Sequence, residues 1–164
     1  MISFLNGIIR LQFVCLYRPI FPEVQYYHKE LTSDIIKAFY QVYNELGYGF
    51  LEKVYQNAFY IELKNSGLSV EANKKINVFY KGHEVGYYIA DMIVNDTVIL
   101  ELKACDCLID EFEYQLLNYL KATHCEVGLL LNFGKKAEFK RKLFHNNLKK
   151  HINQEAANHQ EENL

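Results

Sequence analysis

The chain is organised around Asp91–Lys103, where Asp-Met-Ile-Val-Asn-Asp-Thr-Val-Ile-Leu-Glu-Leu-Lys reads as two β-strands joined by a turn at Asn95-Asp96. Strand side chains alternate between faces, so Glu101 and Lys103 project on one side while Leu100 and Leu102 point to the other. An acid and a base set among Val98, Ile99, Leu100 and Leu102 are not simple solvent decoration. If Asp91 on the preceding strand shares their face, two carboxylates and an ammonium converge on one spot. That is the outline of a site for a metal and a phosphate.

Register decides whether they meet. A two-residue turn at Asn95-Asp96 sets Asp91 opposite Leu100, on the wrong face. A three-residue loop through Thr97, or a β-bulge near Asp91, restores Asp91 opposite Glu101. The sequence therefore predicts one of these irregularities, and a regular two-residue hairpin would count against the site.

The 164 residues are enough for one domain with a substantial core. Half of them are hydrophobic and 15% aromatic, which places the chain among globular rather than disordered proteins. The net charge of −2 does not speak for or against nucleic acid, because distribution matters more than the total. Lys135, Lys136, Lys140, Arg141, Lys142, Lys149 and Lys150 crowd the C-terminal part, with Glu138 the only acid among them. The four cysteines, Cys15, Cys105, Cys107 and Cys125, lack zinc-site spacing and read as reduced thiols of a cytoplasmic protein. No run of about 18 apolar residues suits a membrane span.

Residues 1–30 read as an N-terminal extension, with Pro19 and Pro22 blocking regular structure and a docked strand as the alternative. The domain proper then runs over 31–152, and 153–164 is a polar tail. Ser33 is placed to cap a first helix carrying Ile35, Ile36, Phe39, Val42, Tyr43 and Leu46 at helical spacing, broken by Gly47 and Gly49. A second helix from near Phe50 is expected to bury Leu51, Val54, Tyr55, Ala58 and Phe59. Strands follow at about 69–80, 83–94 and 97–104, then a helix over 108–122 and a fully buried strand over 126–133. The strand–helix–strand order implies a parallel pairing through a right-handed crossover. Phe139, Leu143, Phe144 and Leu148 suggest a last amphipathic helix with a basic outer face.

Two carboxylates about 4 Å apart repel by roughly 4 kcal/mol at an effective dielectric near 20, so a fold holds them together only with a cation or a shared proton. Oxygen ligands with room for water and phosphate suit Mg²⁺ or Mn²⁺. The plainer alternative makes Glu101 and Lys103 an ordinary ion pair on an exposed strand. Two more stretches bear on the choice. Glu52 and Tyr55 lie three apart on one helical face, and Gln115 and Tyr119 four apart on another. Read alone, the tyrosines are also ordinary core residues with wet tips, and Gln115 ordinary surface.

In combination, Gly49-x-x-Glu52-x-x-Tyr55, Asp91, Glu101-x-Lys103 and Gln115-x-x-x-Tyr119 resemble the GxxExxY proteins, a group within the PD-(D/E)XK nuclease superfamily. The resemblance covers roughly Leu31 to Phe144. It implies an α/β, restriction-endonuclease-like core, a mixed β-sheet flanked by helices in α-β-β-β-α-β order. It also implies that Asp91 and Glu101 hold a divalent metal with the Leu102 backbone carbonyl and Glu52, that Lys103 is the catalytic lysine, and that Gln115 and Tyr119 match a paired glutamine and tyrosine. Ala90 stands where the superfamily often has proline.

The function expected on these grounds is metal-dependent hydrolysis of phosphodiester bonds in nucleic acid, DNA before RNA. Tyr55, Gln115 and Tyr119 would support the site, and Lys135, Lys136, Lys140, Arg141 and Lys142 would contact the backbone of the nucleic acid. A homo-oligomer is left open. The rival expectation is a catalytically silent nuclease fold that binds nucleic acid or serves as a scaffold, since fold does not settle function. Thiol chemistry through Cys105-x-Cys107 lacks a nearby histidine or a proper motif.

Overall fold

The computed structural model describes residues 27–149, so the extension and tail expected at the two ends lie almost wholly outside the described residues. Helices α1 (Lys29–Leu46) and α2 (Glu52–Asn65) precede strands β1 (Val70–Tyr80), β2 (His83–Val94) and β3 (Val98–Lys103). Helix α3 (Asp110–Ala122) then leads to β4 (Val127–Phe133) and β5 (Ala137–Leu143), with a short 3-10 turn at Asn146–Leu148. The five strands lie side by side in chain order. Only β3 and β4, joined through α3, are parallel; the other three pairings are antiparallel.

Helices cover both faces of this mixed sheet. On one face Ile35, Phe39 and Val42 of α1 and Tyr55, Phe59 and Leu63 of α2 pack against Met92, Leu100, Leu102, Leu129 and Leu131. On the other, Leu116, Tyr119 and Leu120 of α3 meet Ile93, Ile99 and Leu130. Strand β4 lies between the two layers, and every residue of Val-Gly-Leu-Leu-Leu-Asn-Phe is buried. Each fully buried Leu, Ile or Phe contributes about 1.5–3 kcal/mol relative to exposure, which makes this doubly covered strand the anchor of the fold. Gly128 lets α3 approach, since a Cβ there would lie 2.7 Å from Leu116 Cδ1.

The expected loop between β2 and β3 has three residues. Val94 pairs with Val98, Ile93 with Ile99 and Met92 with Leu100. Asn95 and Asp96 both take left-handed backbone angles, φ 51° and 52°, which short polar side chains tolerate best. Thr97 closes the loop by donating its N–H to the Val94 carbonyl at 3.0 Å. A second irregularity faces Asp91. Asn73 in β1 has φ 53°, and Ala90 and Ile93, three residues apart, both reach the α3 side of the sheet. Simple alternation forbids that, so β2 is locally reversed beside Asp91. Beyond this point β1 and β2 continue as a two-stranded ribbon that exposes Tyr80, Val85, Tyr87 and Ile89.

Three expectations are corrected. Ser33 does not cap α1, which begins four residues earlier; Ser33 is exposed within it, while the Thr32 hydroxyl donates to the His28 carbonyl at 3.0 Å. Leu51 and Val54 are exposed rather than buried, at 78% and 39%. Leu51 precedes α2 with extended backbone (φ −66°, ψ 147°) and so leaves the stripe formed by Tyr55, Phe59 and Leu63, and Val54 sits one residue off that stripe. Finally, residues 137–143 form β5 and not an amphipathic helix. The sheet edge offered by β4 supplies a backbone ladder for these residues, and Glu113 of α3 pairs with both Lys140 and Lys142, two residues apart on one strand face. No basic helical face exists there.

Candidate active site

Two glycine-dependent turns and one buried tyrosine place the first acid. Gly47 (φ 69°) ends α1, and Gly49 adopts φ 108°, a conformation that glycine alone takes without strain. Tyr55 is fully buried and stacked on Phe133 at 4.6 Å between ring centroids. Its hydroxyl donates to the Gly47 carbonyl at 2.9 Å and accepts from the Phe50 N–H at 3.2 Å. Tyr55 therefore fixes the loop from which Glu52, the first residue of α2, emerges toward the ends of β2 and β3.

Asp91 and Glu101 come from the paired strands. The register continues from Met92 and Leu100 to set Asp91 beside Glu101, and in place of a ladder bond the Leu102 N–H donates to Asp91 Oδ2 at 2.7 Å. Glu101 is only 2% exposed. Its Oε1 accepts from Lys103 Nζ at 2.6 Å, and Oε2 is buried with no hydrogen-bond partner among the described residues. Lys103 also lies over the Phe112 ring of α3, 5.0 Å from its centroid.

The electrostatics match this crowding. Burial, then the nearby Asp91 and Glu52 charges, push the Glu101 carboxyl up to about 7 against the pull of Lys103. Asp91 is raised by burial, opposed by the Leu102 N–H, Lys103 and Lys53. Glu52 is raised by burial and by Asp91, with Lys103 working the other way. Burial pulls Lys103 down, but the Glu101 hydrogen bond and all three carboxylates outweigh it and hold its ammonium above the usual lysine range. Lys103 is thus a permanent cation among three acids.

Three further residues complete the surroundings. Gln115 donates its side-chain amide to the Tyr119 hydroxyl, which itself donates to the Ile89 carbonyl at 3.3 Å. Burial, with Glu101 and Asp91 nearby, pushes the Tyr119 phenol up to about 12, so it stays protonated. Gln56 was missed in the sequence. It is 6% exposed, its Nε2 donates to the Asp91 carbonyl at 3.2 Å, and its Oε1 accepts from Lys53 Nζ at 2.6 Å. Its spacing of four from Glu52, on the same helical face, was the available signal.

A family model matches residues 29–142, from the start of α1 to within one residue of the end of β5, and its description is PD-(D/E)XK nuclease superfamily. The chain belongs to that superfamily. No curated protein and no solved structure matches the chain. The mixed five-stranded sheet flanked by helices is the restriction-endonuclease-like arrangement of this nuclease superfamily, and it brings Asp91, Glu101, Lys103 and Glu52 into mutual electrostatic reach.

Several of the basic residues have partners: Lys140 and Lys142 are engaged by Glu113, Arg141 donates to the Tyr27 carbonyl, and Lys135 stands 4.0 Å from Asp106. Lys149 is buried and donates to the Thr123 and Cys125 carbonyls at 2.9 and 2.6 Å. Among the described residues no helix is long and apolar enough to cross a membrane.

Proposed function

We propose that this chain is a divalent-metal-dependent nuclease that hydrolyses phosphodiester bonds, with DNA preferred over RNA. The observation that carries the reading is the meeting of Asp91 and Glu101 across a three-residue loop, with Lys103 two residues on and a buried, unpartnered Glu101 Oε2. An oxygen-only donor set whose carboxylates raise one another's proton affinity fits a hard cation. Asp91, Glu101, Glu52 and the Leu102 carbonyl would hold Mg²⁺ or Mn²⁺. The ion would supply charge neutralisation at the scissile phosphate and lower the pKa of a bound water.

The other steps fall to the chain's own residues. Lys103 orients the attacking water and stabilises charge developing on the phosphate. Gln56 fixes the Asp91 backbone, and the Gln115–Tyr119 pair presents neutral donors beside the acids. Tyr55 supports the site through the loop before Glu52. The run Gly49-x-x-Glu52-x-x-Tyr55 supports a place among the GxxExxY proteins.

A second reading, a silent nuclease fold that binds nucleic acid or acts as a scaffold, is favoured by one feature. Among the described residues, no three His, Cys, Asp or Glu side chains are gathered as a ready metal cluster, and Lys103 already neutralises Glu101. Cleavage of labelled single- and double-stranded DNA and RNA with Mg²⁺, Mn²⁺ or EDTA, beside Glu101→Ala, separates the two. Metal-dependent cutting abolished by the substitution supports the enzyme. Salt-sensitive binding without cutting in either protein favours the silent module.

A further inference from the structure

At the ends of the parallel strands β3 and β4 lies an open cleft of about 380 Å³. Its lining includes Tyr48 and Phe50, Cys105 and Asp106, and Gly134 and Lys135. It adjoins the acid cluster directly, because Phe50 is two residues before Glu52 and the lining residue Ala104 follows Lys103.

The walls are fixed by three polar side chains, those of Tyr55, Tyr43 and Asn132. Tyr55 ties Gly47 to Phe50, as described above, and Tyr43 donates its hydroxyl to the Gly134 and Lys135 carbonyls at 3.0 and 2.9 Å. Asn132, fully buried in β4, accepts from the Cys105 and Gly134 N–H groups at 3.1 and 3.2 Å and donates to the Cys105 carbonyl at 2.9 Å. Gly134 is required by this closeness, since a Cβ there would fall 1.9 Å from the Cys105 oxygen. On this rigid frame Tyr48 and Phe50 are 60% and 50% exposed. Two large aromatics held open beside a cation, on a pinned loop, form a surface for a flat ring attached to an anion. The Lys135–Asp106 pair does not cancel the cation, because at 4.0 Å with both side chains exposed it is weak.

We infer that this cleft is a subsite for one unpaired nucleotide of the substrate strand, its base against Tyr48 and Phe50 and a phosphate against Lys135. The inference rests on the nuclease reading and adds a substrate class to it: single strands, frayed ends or flaps rather than intact duplex. A base inside a duplex hides its faces, and exposing them costs a few kcal/mol, whereas an unpaired base meets the aromatic wall at no such cost. The volume lies within the roughly 300–1,000 Å³ typical of small-ligand sites, which allows a single nucleotide and excludes a helix.

The test measures binding and cutting separately. In EDTA, anisotropy of a labelled single-stranded oligonucleotide and of its blunt duplex is followed with wild type, Tyr48→Ala, Tyr48→Phe, Lys135→Ala and a remote exposed control, Tyr60→Ala. Wild type is expected to prefer the single strand. Tyr48→Ala should weaken that binding by about 5- to 150-fold, the range of one lost base stack, while Tyr48→Phe and Tyr60→Ala leave it unchanged. Lys135→Ala should lower the salt dependence by about one phosphate contact. Equal affinity for both nucleic acids, or an unaffected Tyr48→Ala, overturns the subsite. Cutting of the same strands with Mg²⁺ or Mn²⁺ then distinguishes the failures. Cutting with an unaffected Tyr48→Ala refutes the subsite alone; a Tyr48-dependent preference without cutting upholds the subsite and refutes the nuclease.

Discussion

Glu101→Gln in the metal-free protein gives the sharpest physical test of the site. Folding moves this carboxyl from its usual 4.5 to about 7, chiefly by burial and then by Asp91. Between those values the folded chain keeps a proton that the unfolded chain has released, so stability is lost as pH rises through that window. At about 1.4 kcal/mol per pH unit the loss is about 3 kcal/mol, and Glu101 is too deeply buried for solvent to screen much of it. Glutamine cannot titrate. Whatever constant offset the substitution brings, the stability of the variant relative to wild type should therefore improve by about 3 kcal/mol from about pH 4.5 to pH 8. Urea unfolding in EDTA at several pH values measures this directly. Added Mn²⁺ at the upper pH should stabilise wild type and not the variant. Two stability curves that run parallel across the window would refute the electrostatic account of the site.

Asn132→Leu leaves two N–H groups and a carbonyl of the Cys105–Gly134 crossing unpaired, and should cost about 3 kcal/mol or more in urea unfolding. Gly134→Ala forces the same crossing apart and should cost about 2 kcal/mol, with a lowered melting temperature as the readout. Tyr55→Phe removes both bonds to the 47–50 loop; it should cost about 1–2 kcal/mol and make that loop the first site of limited proteolysis. Amide exchange in the outer ribbon, residues 75–89, should be faster than at Met92–Val94, where β2 has a partner on each side.

Much of the site was legible because its chemistry is local in the chain. Asp91 and Glu101 lie ten positions apart, and counting the register was enough to show that either a three-residue loop or a bulge near Asp91 was needed; the three-residue loop is found. What could not be read was the means of support. Gln56 and Asn132 look ordinary until their partners, 35 and 27 residues away, are in place. An asparagine one residue before the end of an otherwise apolar strand was the one visible sign of the second. The error over residues 137–148 has a physical cause too. Phe139, Leu143, Phe144 and Leu148 fit a helical stripe, but an open edge on β4 and a carboxylate on α3 outweighed that periodicity, and a single segment carries no information about either. Likewise, alternation along β5 set Lys140 and Lys142 on one face, where they share Glu113, while Arg141 between them reaches the Tyr27 carbonyl.

The strand order also bears on how the molecule assembles. Because the strands stand in the sheet in the order in which they occur in the chain, each one lengthening from the N-terminal side finds its neighbour already made. Two hairpin connections, 80–83 and 94–98, zip up the first three strands with short loops, and only the step through α3 spans a longer distance. Short-range pairing of this kind favours rapid folding. The acids of the site, all carried by α2, β2 and β3, can thus be gathered before β4, the strand that pairs with β3 beside Glu101, has joined.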